Sequence, residues 1–180
     1  NAIDPFGVLK KYGADATRFY MVNASPVWTP LKFDEDGIKE IQSKTFGTLK
    51  NTYTFFQMYA NADNLDPREF EVPYEDLEEI DKWLLSKYNK LVDYVIKSMD
   101  EYDLNKTTKA INYFLNEDLS NWYIRRNRRR FWGSELNNSK KAVYQTTYQV
   151  LIGLCELMAP ISPFITDEIY RNLTGLESVH

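Results

Sequence analysis

Residues 103–133 read DLNKTTKAINYFLNEDLSNWYIRRNRRRFWG. Asp103 stands where a helix N-cap belongs, and Gly133 where a helix stops. Between them Ile111, Leu115, Leu119 and Trp122 recur at helical spacing and form one apolar stripe. The other faces are polar. A helix of this length with a single apolar stripe cannot bury it alone and must pack against others like it.

The flanking sequence supplies those partners. From about residue 34 to 60, Ile38, Ile41, Thr45, Leu49, Thr52 and Phe56 repeat at the same spacing. Residues 61–74 hold Pro67 and Pro73 and read as a loop. From about 75 to 101 the stripe is Ile80, Trp83, Leu84, Leu91, Tyr94 and Val95. Ser139 opens a fourth helix with Val143, Val150, Leu154 and Leu157 inward, ending before Pro160. Ser162-Pro163 starts a last short helix carrying Ile165, Ile169 and Leu173. Short connections favour antiparallel neighbours. The expected fold is therefore all-α, an antiparallel up-and-down helical bundle over residues 34–180. Residues 1–33 form a small appendage. There Asp4-Pro5 reads as a cap with proline at the first helical position, and Gly13 as a stop. Asp15 lies near the start of a second helix bearing Phe19 and Val22. SPVWTP interrupts it, and Leu31-Lys32-Phe33 alternates as a short strand would.

Composition narrows the chemistry. The chain has 180 residues, net charge −4, 43% hydrophobic and 27% charged residues, an ordinary globular balance. No apolar run approaches the roughly 18–20 residues of a membrane span, so a cytoplasmic protein without a membrane partner is expected. The start, NAIDPFGVLKKYG, has no basic region followed by an apolar one, so no signal peptide is expected. It also lacks an initiator Met, as expected of a segment excised from a longer chain. The single cysteine, Cys155, sits in VLIGLCELM and reads as a small buried hydrophobe. The single histidine is His180. A Cys/His zinc site, a Ser-His-Asp triad and a Cys-His pair are thereby disfavoured. No Gly-rich phosphate loop of common spacing occurs. No metal ligand, cofactor site or catalytic residue is expected within this chain.

Charge is segregated. Residues 61–81 hold nine acids against one base, Arg68, whereas residues 104–133 hold seven bases against two acids. Within the second region Arg125, Arg128, Arg129 and Trp132 share one helix side by i, i+3, i+4 and i+7 spacing, and Arg126 and Arg130 share a neighbouring one. Five guanidinium groups this close need anions. The acid-rich loop is one source and a polyphosphate backbone another, since the planar guanidinium binds oxygens bidentately. Trp132 and Phe131 offer faces for unpaired bases. Against RNA contact stands a purely structural reading: cations suit a helix C-terminus, and two of the five arginines can pair inside the bundle. Trp122 and Tyr123 read as core, and the acidic loop as a solvated surface.

Four stretches carry a family resemblance. DLSNWYIRRNRRRFWG resembles the corresponding helix of isoleucyl-tRNA synthetases. NAIDPFGVLKKYGADATRFYMVNASP resembles the segment that follows the KMSKS loop of class I synthetases. KFDEDGIKEIQSKTFGTLKNTYTFF resembles the first long helix of their anticodon-binding bundle, and LMAPISPFITDEIYRNL its closing helices. Together they span nearly the whole chain in order. The resemblance implies a parent enzyme, a monomer, that activates isoleucine with ATP and Mg2+ and transfers it to its tRNA in protein biosynthesis. The HIGH and KMSKS motifs that hold ATP are absent here, so this segment is expected to be inactive alone. Residues 1–33 are expected to end the catalytic body as a stem-contact segment, and residues 34–180 to bind tRNA, not DNA. The implied tRNA-binding candidates are Lys50, Asn51, Arg125, Arg128, Arg129, Arg130 and Trp132, with Asp15 and Arg18 as stem-contact candidates. Lys50 stands where relatives place Arg and lacks its bidentate fork. Thr54 also replaces an Arg. The rival assignments are the same domain of a valyl or other class I synthetase, and a non-enzymatic helical protein-interaction module.

Overall fold

The computed structural model describes residues 3–180. Helices α1 (Pro5–Tyr12) and α2 (Ala14–Ala24) come first, separated by Gly13 at φ 82°. Then α3 (Glu35–Glu40) runs through a π-helical stretch, Ile41–Phe46, into α4 (Gly47–Ala62), giving one continuous rod. Next, α5 (Glu79–Asp100) leads to a second rod made of α6 (Leu104–Tyr113), a π-helical stretch Phe114–Ile124, and α7 (Arg125–Trp132). Finally α8 (Asn138–Met158) and α9 (Pro163–Thr174) close the chain. No strand forms among the described residues; the Leu31-Lys32-Phe33 segment, expected as a strand, is irregular. Phe33 instead packs edge-on to Tyr20, whose hydroxyl accepts from the Asp34 amide at 2.9 Å.

Helix starts follow short polar side chains that absorb orphan amides. Asp4 accepts from Phe6 and Gly7, Asp34 from Asp36, and Asp103 from Lys106. At α8 the cap is Asn137, which accepts from the Lys140 amide at 2.9 Å, rather than Ser139. Ser139 is already inside the helix and serves another purpose, described below.

The four long helices alternate in direction, as the sequence implies, but sequence neighbours are not all spatial neighbours. Contacts between the two rods ascend together: Thr45 with Asn112 (2.7 Å), Thr48 with Asn116 (2.8 Å), Phe55 with Phe131 (ring centroids 5.0 Å), Tyr59 with Trp132 (6.4 Å). The rods are therefore parallel. Helix α5 runs against the second rod, pairing Ser98 with Thr107 and Asp81 with Tyr123. Helix α8 runs against the first, pairing Tyr148 with Phe56 and Lys140 with Asp63. A link from the first rod to α5 must thus cross the bundle end, and residues 63–78 do so. The core lies between these helices and includes Leu49, Leu84, Leu115, Leu119, Val150 and Leu154, all without exposure. Cys155 is buried among them, and burial pushes its thiol up to about 12.

One polar knot penetrates this core near the ends of α5, α7 and α8. Asp81 has no exposed surface. Its carboxylate accepts from the Tyr123 hydroxyl at 2.6 Å, from both Arg130 Nη atoms at 2.7 and 2.8 Å, and from the Glu78 amide at 3.1 Å. Arg130 also donates to the Ser139 hydroxyl and carbonyl, at 3.0 and 2.7 Å. Ser139 in turn donates to the Glu78 carboxylate. Burial raises the Tyr123 phenol well above its ordinary range, and the adjacent carboxylate adds to the effect. Beside this knot the buried Lys140 ammonium pairs with Asp63 at 2.6 Å and donates to the Gly133 carbonyl.

Removing one member of a buried charge pair costs about 3–5 kcal/mol, because the other stays buried and uncompensated. We predict that Asp81→Ala loses stability on that scale in urea titration, whereas Glu79→Ala, whose Lys82 pair is solvent-exposed, changes it by less than about 1 kcal/mol. Equal midpoints for the two variants would remove Asp81 from the framework.

Candidate nucleic-acid interface

The knot decides which arginines face outward. The run 125–130 winds around α7, and its register puts Arg130 inward beside Asn127 and Phe131. Arg130 is therefore committed to Asp81 and, at 3.5 Å, to Glu78. Burial works against its charge, but the Asp81 hydrogen bonds and charge outweigh it and raise its pKa. This corrects the expectation that Arg130 meets an external phosphate. Of the basic residues from 104 onward, the acid-rich stretch pairs with Arg130, through Glu78 and Asp81, and with Lys140, through Asp63. Arg68 closes on Asp66 at 2.6 Å.

Arg125, Arg126, Arg128 and Arg129 are exposed and make no ion pair among the described residues. Arg126 sits over Trp122, its guanidinium carbon 4.4 Å from the ring centroid. That leaves Arg125, Arg128 and Arg129 as projecting guanidinium groups on the last turns of one helix. Trp132 continues the edge marked by Arg125 and Arg128. It is 53% exposed and tilts against Tyr59 of α4 at 6.4 Å, so one face is backed by protein and the remainder is open. Trp122, expected in the core, is instead 47% exposed beside Trp83, while Tyr123 is fully buried as expected.

The Lys50-Asn51 pair is divided. Lys50 is exposed beside the junction of α1, α2, α4 and α9, with Gln42, Phe46 and Phe164 around the same recess. Asn51 is exposed one turn beyond Thr48, on the side that faces the second rod. As successive helical residues, their side chains point about 100° apart around α4.

Asp15 and Arg18 lie at the end of α8 away from the arginine run, roughly 30 Å along that helix by its rise. Both bind the bundle. Asp15 caps α9, accepting from the Phe164 and Ile165 amides at 3.2 and 2.7 Å. Arg18 donates to the carbonyls of Ile161 and Pro160 at 2.8 and 3.0 Å. Ser162, the residue at the cap position, uses its hydroxyl on the Asp15 carbonyl instead. Sequence reading missed Asp81, Tyr59 and this clamp. Asp81 is one of nine similar acids, and nothing in the sequence marks it as the buried one.

The arrangement is a bundle with a cationic, aromatic-edged end. No group of side chains suited to a metal exists among the described residues, and no helix is long and apolar enough to cross a membrane. Residues 81–180, more than half of the chain, match the family described as the anticodon-binding domain of tRNA ligase, and the chain belongs to that family. The fold agrees with a leucyl-tRNA synthetase from Agrobacterium radiobacter solved in a ternary complex with tRNA. Their TM-score is 0.71, with 20% identity, over 99% of this chain and 20% of that one. A Mycobacterium tuberculosis methionyl-tRNA synthetase with methionyl-adenylate gives a TM-score of 0.75, 16% identity, and coverage of 93% and 33%. Within the family, its full-length similarity is to isoleucine–tRNA ligases. It is 48% identical to that of Porphyromonas gingivalis, over 100% of this chain and 16% of the relative, and 42% identical to that of Clostridium novyi, over 100% and 18%. The chain thus spans about a sixth of the length of these relatives.

For Asp15 we predict that substitution by Ala lowers stability by about 1 kcal/mol, the usual worth of a helix cap, read as a fall in melting temperature. A variant as stable as the parent sequence would show that the α9 cap is dispensable.

Proposed function

We propose that this chain is the part of an isoleucine–tRNA ligase that grips the anticodon stem-loop of isoleucine tRNA. The observation that carries the reading is the set of exposed guanidinium groups without protein counter-anions at the α7 end, edged by the half-open Trp132. Phosphate contacts from Arg125, Arg128 and Arg129 fix register but carry no sequence information, whereas base contacts specify. Trp132, backed by Tyr59, is a platform on which an unpaired base can stack without reorganising the protein. Residues 1–33 act in this reading as the tail of the catalytic body. The clamp from Asp15 and Arg18 supports a positioning role for them, since it joins that tail to the closing helices and holds the bundle at a set orientation. The parent reaction is the ligation of isoleucine to tRNA with ATP and Mg2+ in the cytoplasm. Its chemistry lies in sequence beyond this segment, whose own contribution is to orient the nucleic acid.

The test is a titration of the purified chain against labelled isoleucine tRNA and one non-cognate tRNA at two salt concentrations. Arg128→Ala is expected to weaken binding and to reduce the slope of log affinity against log salt by about one. Trp132→Ala should lose about 1–3 kcal/mol of binding with the slope retained. Arg130→Ala should lower stability instead. Failure of the unsubstituted chain to bind either tRNA at low salt would defeat the reading.

A further inference from the structure

The two π-helical stretches lie side by side on the parallel rods, and a surface groove of about 580 Å³ opens beside them. Its chemistry differs from that of the arginine end. The walls carry amides: Asn112, Asn116 and Asn121 from the second rod, and Asn23 from the end of α2. Their hydrogen bonding is incomplete in a specific way. The Asn112 Oδ1 accepts from the Thr45 hydroxyl at 2.7 Å and from the Asn116 Nδ2 at 3.0 Å. Two donors on that oxygen fix which way the amide points, and its Nδ2 is left without a protein acceptor. Asn116 is fixed by its Nδ2, which donates to the Asn112 carbonyl and Oδ1 at 2.9 and 3.0 Å. The Oδ1 of Asn23 is buried with no partner among the described residues. Asn121 is exposed and makes no side-chain hydrogen bond among the described residues.

An oriented donor and a spare amide, which itself offers a donor and an acceptor, lie in one groove and match the edge of a nucleobase, which presents both kinds of group in a plane. The rim fits the rest of a nucleotide. Lys109 is exposed and supplies a cation for a phosphate, and Tyr113, 61% exposed, supplies a stacking face. Glu117 also lines the groove. A carboxylate there disfavours a phosphate beside it and can accept from an exocyclic amino group of a base.

Resting on the tRNA-binding reading above, we propose that this amide groove is a base-reading subsite for one unstacked nucleotide of the bound RNA, separate from the phosphate-gripping arginines. Specificity and grip are then divided along the second rod. The groove reads a base at its middle, and Arg125 to Arg129 hold the backbone at its end.

Asn112→Ala and Asn121→Ala are to be compared with Arg128→Ala in binding to isoleucine tRNA and to transcripts with single bases replaced in its unpaired loops. Each asparagine variant is expected to weaken binding about tenfold with an unchanged salt slope. One base-replaced transcript should already be weakened for the unsubstituted chain and lose nothing further on Asn121→Ala. Asn121 touches no other side chain through hydrogen bonds, so its variant tests the groove even where Asn112→Ala disturbs packing. Unsubstituted affinity in Asn121→Ala, or an equal loss on every transcript, overturns the subsite. If Arg128→Ala still weakens binding in that case, the tRNA reading stands without it. Absence of tRNA binding by the unsubstituted chain defeats both.

Discussion

A carboxylate with no exposed surface, Asp81, holds three helices through one guanidinium. Such a group is tolerated inside a core only when every lone pair is met. Here Tyr123, Arg130 and the Glu78 amide meet them, and Ser139 and Asn127 fill the remaining donor positions of Arg130. The start of α5, the end of α7 and the first turn of α8 are thereby locked in a single register. Rotating α7 to expose Arg130 would strand Asp81, so the other arginines are the ones that face solvent. The cationic surface is set from within.

That surface is strong because the protein does not neutralise it. The acid-rich stretch that looked like a general counterweight spends its paired carboxylates on Arg130, Lys140, Arg68 and Lys82, and none on the four outward arginines. Arg126 covers Trp122 instead of a carboxylate.

The bundle was legible because apolar stripes and polar caps are local. Asp4, Gly13, Asp34 and Asp103 mark helix ends through interactions within a few residues, and those boundaries hold. Trp122 was misread because the spacing was taken as 3.6 residues. The π-helical stretch widens the turn, and the buried series steps by four through Leu115, Leu119, Tyr123, Asn127 and Phe131. Tyr123 therefore turns inward and Trp122 outward. The parallel pairing of the rods was equally hidden, since it depends on where residues 63–78 lead the chain. Within the candidate site, the grouping of Arg125, Arg128, Arg129 and Trp132 on one side was readable from spacing. The burial of Arg130 was not, because its partner lies 49 positions away among similar acids.

The clamp between Asp15 and the start of α9 joins positions 149 and 150 residues apart. A ribosome adding about 5–20 residues per second takes roughly 7–30 s to make the intervening chain. Through that interval α1 and α2 are already synthesised, but the helix Asp15 caps does not yet exist. The α5–α6 hairpin, whose partners are close in sequence, can form well before then. Closure of this corner on α9 is thus a late event in biogenesis, whereas the hydrogen bonds from Asn105 of α6 to the Val22 and Asn23 carbonyls of α2 are available earlier.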